Sequence, residues 1–416
     1  MWKTSPGVSK ATGTQLTSVT SPFTHATLSA GTYYYVVTAV DPNGESAESS
    51  PASAPVHLVS FVTSTMGNAN LSTWPDAISA GSVTGLAAGD AVCQARAQTA
   101  GLTGTFKAWL SSSTTDAYCH IQNLSGKKSA NCGQATLPVA AGPWVRTDGA
   151  PFAPTIDTTP FNTYMPLIYD ETGTLFPDAY QQVATASLMN GAGLFVGPFN
   201  ACNDWTDSSN VMAVTGGYVY MTTPYSVSEY ALYCDQTFPL ICVQTGAGAG
   251  VPLSIVSASG KKVFVTSTTY DGNMGGLSGA DAKCQARAAA GGLANAANFK
   301  AWLSDGTTDA VSRVTGTGPW GRTDGIKVAD SKADLTDGFL FTSISRDEFG
   351  NYVTALVWTG SNELGTKQVN VCNDWTDNSG LGPQEATGHS NGANAFWSSW
   401  SNSACANTYP LYCFEE

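Results

Sequence analysis

The sequence is poor in charged residues, and basic residues are the scarcest of them. Charged residues fill 12% of its 416 positions, about half the share of an average globular protein. This shortage argues against coiled coils and long solvent-exposed helices. Lys and Arg number 18 against 31 Asp and Glu, which gives a net charge of −13. We therefore expect nucleic acids, heparin and anionic membranes to be poor partners, because a negative field repels polyanions.

Long apolar runs and catalytic signatures are also missing. No apolar run approaches the roughly 18 residues of a membrane-spanning helix, so the sequence predicts no transmembrane segment. It has no phosphate-binding glycine loop and no histidine at matching positions of a repeat, and it predicts no enzyme. The first residues lack the basic and apolar regions of a secretion signal. Glycine is abundant, at 43 residues, which favours short strands, turns and loops.

Residues 1–56 have the pattern of a β-rich segment. Side chains from Tyr33 to Val40 alternate with the period of two expected of a strand, and residues 41–46 supply turn chemistry. The stretch resembles the later strands of a bacterial fibronectin type III domain, in which Tyr33 would be the tyrosine-corner residue. Because such a domain needs about 90 residues, we expect the chain to begin inside one, with its secretion signal upstream.

The rest of the chain contains an internal repeat. Six motifs recur in the same order: 61–65 with 264–268, 93–97 with 284–288, 106–111 with 299–304, 142–149 with 318–325, 202–207 with 372–377, and a closing cysteine pair in each copy. Two copies of one domain are therefore predicted, at 57–244 and 262–416. Residues 245–261, rich in Gly, Ala and Ser, would link them.

Ten cysteines follow this repeat. Each copy has four at matching positions, which allow three pairings within a copy. Cys119 and Cys132 lie in an insertion of the first copy and are expected to pair with each other. The four histidines share no matching position, which argues against a repeated zinc site. Cysteines in even number at matched spacings predict disulfides, and therefore a secreted or cell-surface location.

The order of motifs is similar to that of a known family. A helix rich in Ala, Cys and Arg, then residues 104–111, then Cys-x-x-Trp and a closing cysteine pair resemble endostatin and, more closely, leptospiral endostatin-like adhesin domains. The resemblance covers 61–244 and 262–416 and implies an α+β, C-type-lectin-like fold for each copy. It also implies one pairing of the shared cysteines: Cys93–Cys242, Cys202–Cys234, Cys284–Cys413 and Cys372–Cys405.

Local patterns in the second copy agree with an α+β fold. Ser278 and Asp281 predict the start of a helix through a capping-box-like pattern. Ala280, Cys284, Arg287 and Ala288 would lie on one face of it that packs closely, with the cysteine pointing inward. The glycines at 291 and 292 would end the helix, and residues 409–414 predict a short apolar strand.

The Asn-Asp-Trp element after a cysteine in each copy is a candidate calcium site, because calcium prefers carboxylate and amide oxygens. The candidate ligands are Asn203, Asp204, Asp207, Asn373, Asp374 and Asp377. The order differs from that of sugar-binding lectins, and the companion loop motif of those lectins does not occur. The alternative is structural, with Trp205 and Trp375 in the core and the Asn and Asp side chains capping turns. No other cofactor is predicted.

Two further repeated motifs have ordinary explanations beside functional ones. The acidic pairs at 170–171 and 347–348 have the chemistry for acid–base work or cation binding, or they simply form turns closed by glycine. The Arg-Thr-Asp-Gly segments at 146–149 and 322–325 resemble a cell-attachment tripeptide but carry Thr where it has Gly. We expect them to be exposed turns.

Aromatic residues between the two inner cysteines are the candidate ligand-binding residues. They are Trp397 and Trp400 in the second copy and Tyr218, Tyr220 and Tyr225 in the first. In lectin-like folds this interval lies in the long-loop region where ligands bind, and aromatic loops with Ser, Gly and Asn suit recognition. The alternative places some of these side chains in the core.

The sequence thus predicts a non-catalytic, adhesin-like binding protein that recognises an extracellular protein or glycan. Two alternatives remain: a calcium-dependent carbohydrate-binding module, and a structural spacer of a larger surface protein. The ligand and the oligomeric state do not follow from the sequence, because fold membership does not determine function.

Overall fold

The computed structural model describes the chain except residues 18, 21–22, 24, 26–27, 29, 82, 139–140, 159–161, 177–181, 189, 195–199, 223–229, 247–252, 254–256, 369–371 and 380–383. The fold is mixed α+β, with several small sheets and few helices. Within the described residues, every helix is too short or too polar to cross a membrane.

Residues 1–56 form a small antiparallel sheet and a hairpin. The strands are β1 (Trp2–Lys3), β2 (Gly31–Tyr35), β3 (Val40–Asp41), β4 (Gly44–Glu45) and β5 (Ala52–Val56). The sheet has the order β1-β2-β5 and buries Tyr33, while β3 and β4 pair with each other. The carboxylate of Asp41 accepts hydrogen bonds from the backbone of Asn43 at 2.7 Å and Gly44 at 3.1 Å, so the predicted turn is present.

The first copy folds around a five-stranded sheet of order β7-β13-β6-β8-β9 and a three-stranded sheet of order β10-β11-β12. Its strands are β6 (Leu58–Val62), β7 (Phe106–Ala108), β8 (Trp144–Arg146), β9 (Pro151–Ala153), β10 (Gln182–Ala184), β11 (Ala213–Tyr218), β12 (Tyr230–Tyr233) and β13 (Ile241–Gln244). Its helical segments are α1 (Pro75–Ser79), α2 (Gly85–Thr99), α3 (Ala117–His120) and α4 (Ala201–Trp205).

The second copy has the same two sheets, in the orders β15-β21-β14-β16-β17 and β18-β19-β20. Its strands are β14 (Lys261–Val265), β15 (Phe299–Ala301), β16 (Trp320–Gly321), β17 (Lys327–Ala329), β18 (Leu356–Trp358), β19 (Gln384–His389), β20 (Ser401–Ala404) and β21 (Tyr412–Glu415). Its helical segments are α5 (Gly276–Ala290), α6 (Ala310–Arg313) and α7 (Cys372–Trp375). The sequence repeat is therefore also a repeat of topology.

The long helix of the second copy differs from its prediction at one end. It begins at Gly276 rather than Ser278, because Gly275 and Gly276 adopt positive φ values of 83° and 75° and turn the chain into the helix earlier. Ala280, Cys284 and Ala288 are fully buried and Gly291 caps the helix, as predicted, whereas Arg287 stays partly exposed and pairs with Glu348. The closing strand begins at Tyr412, later than predicted.

All ten cysteines pair within their own copy, in the pattern that the family resemblance implied and, for Cys119 and Cys132, that their place in the insertion predicted. The pairs are Cys93–Cys242, Cys119–Cys132, Cys202–Cys234, Cys284–Cys413 and Cys372–Cys405. The first joins α2 to β13 across 149 residues, and Cys284–Cys413 joins α5 to β21 across 129 residues. In each copy the long disulfide therefore ties the main helix to the central strands of the larger sheet.

A disulfide that closes a longer loop removes more conformational entropy from the unfolded chain. On the chain-entropy model the 149-residue loop of Cys93–Cys242 stabilises by about 5 kcal/mol and the 13-residue loop of Cys119–Cys132 by about 3 kcal/mol. We predict that a Cys93→Ala/Cys242→Ala variant loses about 2 kcal/mol more stability than a Cys119→Ala/Cys132→Ala variant. Urea unfolding of the first copy measures both; equal losses would contradict the prediction.

One core position differs in chemistry between the copies. Glu385 in β19 is fully buried, and its Oε2 atom has no hydrogen-bond partner in the part of the chain that the structure describes. The register of the matching sheets places Val214 of the first copy at the same position. Burial raises the pKa of Glu385 from 4.5 to about 8, against one opposing hydrogen bond from the backbone of Ala386.

This raised pKa predicts a pH-dependent stability. Folded Glu385 keeps a proton that the unfolded chain releases, so its stabilising contribution is lost as the pH rises from 4.5 through about 8. The melting temperature of a Glu385→Gln variant should therefore rise relative to that of the natural chain as the pH increases from about 5 to about 8. Thermal unfolding followed by circular dichroism measures the difference. The exposed Glu363→Gln is the matched control, and a difference independent of pH would refute the assignment.

Candidate functional site

The Asn-Asp-Trp element forms a left-handed turn in both copies. The φ values of Asn203 and Asp204 in α4 are 53° and 54°, and those of Asn373 and Asp374 in α7 are 50° and 55°. Such values are uncommon for residues other than glycine and must be held in place by neighbouring contacts. The tryptophan that follows the Asn-Asp pair in each copy provides one such contact.

Trp205 and Trp375 are fully buried core residues. The indole N–H of Trp205 donates to the carbonyl of Ser111 at 2.8 Å, and that of Trp375 donates to the carbonyl of Ser304 at 2.6 Å. The structural alternative for these tryptophans is therefore what the structure shows. In each copy this hydrogen bond attaches the turn to a loop, which follows β7 in the first copy and β15 in the second.

The aspartates bind the same loop from the solvent side. The two carboxylate oxygens of Asp204 accept from the backbone N–H of Ser113 at 2.6 Å and from its hydroxyl at 2.5 Å. In the second copy Asp374 accepts from the backbone of Gly306 at 2.8 Å. These carboxylates replace backbone partners that an isolated loop lacks, which is a structural role.

The other four candidate calcium ligands are engaged within their own turns: Asn203 with Thr206, Asp207 with Ser209, Asn373 with Thr376 and Asp377 with Ser379. The backbone N–H and the hydroxyl of Ser379 each donate a hydrogen bond to Asp377, and these bonds lower the pKa of its carboxyl group. Among the described residues, no group of three or more His, Cys, Asp or Glu side chains is placed to hold a metal ion. The aspartates accept hydrogen bonds here and the asparagines donate through their amide N–H groups, and the described carboxylates do not come together in the number that a calcium site needs.

The two remaining repeated motifs also have structural roles. Glu171 and Glu348 are buried and accept the backbone N–H groups of Ser64 at 2.9 Å and Ser267 at 3.0 Å. The prediction that the Arg-Thr-Asp-Gly segments are exposed is wrong for their arginines, which are almost fully buried. Each guanidinium lies inside the turn because it pairs with the aspartate two residues later, at 2.6 Å and 2.7 Å.

Trp397 is not available to a ligand, contrary to the prediction. Its side chain is 1% exposed and lies 4.8 Å from the ring of Trp302 in the core of the second copy. It is buried because the single turn Ala395–Trp397 directs the ring inward, against the larger sheet. Tyr225 lies outside the described residues.

Tyr218, Tyr220 and Trp400 lie where the two copies meet, which corrects their assignment as exposed ligand-binding residues. Tyr218 of the first copy has ring centroids 5.8 Å from both Phe396 and Trp400 of the second. Tyr220 is 1% exposed and stacks on Phe339 of the second copy at 5.0 Å. Apart from Trp400, which stays partly exposed, these rings are used to join the copies.

Beside this contact, Tyr164 of the first copy lies within electrostatic reach of Arg346 of the second, and Lys327 and Phe341 of the second copy pair nearby; we call these four partly exposed side chains the seam cluster. The Phe341 ring is 36% exposed, and the ammonium of Lys327 lies 3.9 Å from its centroid. The next residue, Thr342, donates its hydroxyl to the carbonyl of Tyr164. The cluster is therefore built from both copies and exists only while they are docked.

Charges within the cluster are held in fixed positions. Asp324 pairs with Arg322 at 2.7 Å and Arg346 at 3.0 Å. Although burial opposes ionisation, the two guanidinium groups lower the pKa of Asp324. Burial raises the pKa of Tyr164, so its hydroxyl stays protonated and can both donate and accept at neutral pH.

One signal in the sequence could have indicated the seam cluster. An aromatic residue stands six positions before the acidic pair in each copy, Tyr164 before Asp170 and Phe341 before Asp347. Neither residue lies between the inner cysteines, where the lectin-like resemblance directed attention. The two positions come together only when the copies dock.

No family model matches the chain, and no curated protein is significantly similar to it. The structural comparison that supports the site is therefore the one between the two internal copies. They share sheet order, disulfide positions and the left-handed Asn-Asp-Trp turn. They differ in the aromatic side chains at their contact.

Proposed function

We propose that the protein is a secreted or surface-exposed, non-catalytic, adhesin-like binding protein. In this proposal each copy is a C-type-lectin-like domain, and residues 1–56 are part of a fibronectin type III domain. Five disulfides and the sequence resemblance support an extracellular setting. The docked pair of copies, rather than a single copy, would be the binding unit.

The seam cluster is the observation that carries this proposal. Aromatic and arginine side chains are enriched at protein interfaces because they bury large areas and still hydrogen-bond at their edges. Here an exposed Phe341 and a half-buried Tyr164 adjoin Lys327 and Arg346, each of which pairs with an aspartate of its own copy at 3.0 Å. We infer that the ligand is an extracellular protein that offers an apolar contact surrounded by polar groups.

The calcium-dependent lectin alternative has less support. The carboxylates of Asp204 and Asp374 accept hydrogen bonds that hold the two left-handed turns, and Asn203 and Asn373 donate within the same turns. We therefore expect ligand binding to continue when calcium is chelated. The spacer alternative predicts instead that the seam cluster has no measurable partner.

The proposal predicts that Phe341→Ala weakens ligand binding about tenfold or more, because a central aromatic contact is removed. Biolayer interferometry against purified extracellular-matrix proteins, immobilised one by one, measures the change with and without chelator. Phe349→Ala is the matched control, since Phe349 is 54% exposed and packs beside Arg287 of its own copy.

Three results would count against the proposal. If no immobilised protein binds the natural chain, the spacer alternative gains support. If Phe341→Ala and Phe349→Ala bind as well as the natural chain, the seam cluster is not the binding surface. Loss of binding on chelation would restore the calcium-dependent alternative.

A further inference from the structure

The two copies contact each other through the same segment of their fold. Strands β11 and β19 are the central strands of matching sheets, and Ala213 pairs with Tyr233 as Gln384 pairs with Ala404. Residues 218–222 and 389–393, which we call the contact segments, are therefore equivalent. Each runs from the end of its strand into the facing copy.

A local two-fold relation passes through the centre of this contact. Met221 faces Gly392 in an antiparallel bridge, and these residues occupy equivalent positions. Two backbone hydrogen bonds flank the bridge and exchange under the two-fold: Thr222 N–H to Asn391 C=O at 2.9 Å, and Ala393 N–H to Tyr220 C=O at 3.0 Å. Contacts of this kind, in which one patch meets its own equivalent, are characteristic of homodimer interfaces.

Side chains bury the contact on both sides of the bridge. Met221 is fully buried, in a cluster with Tyr218 and Phe396 against which Trp400 packs. On the other side the hydroxyl of Thr222 lies 2.6 Å from that of Ser343. The contact thus has an apolar centre and hydrogen-bonded polar groups, as a specific interface requires.

The side chains at equivalent positions of the contact differ between the two copies. The contact therefore favours a pair of one first copy and one second copy. Tyr220 stacks on Phe339 of the second copy, whereas the equivalent Asn391 has no ring to offer. A pair of two second copies would lose this stack and the contact of Tyr218 with Trp400. Specificity of this kind comes from a difference between the correct and incorrect pairs.

No covalent bond other than the linker joins the copies, because all ten cysteines pair within a copy. We propose that the contact segments form a self-recognition surface whose partner is the unlike copy, whether in the same chain or in a second molecule. The linker then raises the local concentration of the partner without being required for the contact. This inference does not rest on the proposed ligand.

A cut in the linker tests the proposal in the full-length protein. A protease site inserted after Gly250 would divide the purified chain into two pieces, each with its own disulfides. We expect the pieces to co-elute in size-exclusion chromatography at the mass of the intact chain, at low micromolar concentration. Mixed with an affinity-tagged preparation cut in the same way, they should exchange and form tagged–untagged pairs.

Two variants, one in each copy, test whether this contact holds the pieces together. Met221→Arg and Trp400→Ala should each cause the cut pieces to separate, while Phe349→Ala should leave them associated. Disulfide mapping and a melting curve of each piece confirm that the variants fold. Separation of the natural pieces would overturn the proposal, as would variant pieces that both stay associated, since the copies would then be held by another surface.

Discussion

The attachment of a helix to the central strands of a sheet is the constraint on which each copy depends. Small side chains allow the close approach: a Cβ at Gly89 of α2 would come within 2.8 Å of Leu110 and 3.0 Å of Ala108. Disulfides from Cys93 in α2 and Cys284 in α5 then link these two helices to β13 and β21. Because large parts of each copy are loop, the disulfides supply stability that a larger regular core would otherwise provide.

The loops are ordered by polar side-chain groups that bind backbone, with tryptophan N–H groups on the core side and aspartate carboxylates on the solvent side. Trp205 and Asp204 fasten one loop from its two sides, and Trp375 and Asp374 repeat the arrangement. Hydrogen bonds of this kind stabilise the positive φ values of the turns between them. This accounts for the motif without a metal ion: its oxygens meet the hydrogen-bonding needs of loops that have no sheet partner.

The docking of the copies changes which side chains are exposed. Tyr218 and Tyr220 of the first copy are covered here by aromatic side chains of the second. The same docking brings Tyr164 near Arg346, beside Lys327 and Phe341, so that residues of both copies contribute to one surface. Docking of two copies can therefore change the exposed surface without changing the fold of the repeat.

The sequence by itself determined the repeat, the α+β class, the buried face of α5 and, with the family resemblance, every disulfide. These features are recorded in spacing and periodicity. Only the tertiary structure decided that Trp397, Tyr218 and Tyr220 are buried, and which residues of the two copies form the seam cluster. Sequence pattern cannot distinguish an exposed loop aromatic from a docked one, because the contacts that bury it, such as Tyr220 with Phe339, join residues more than 100 positions apart.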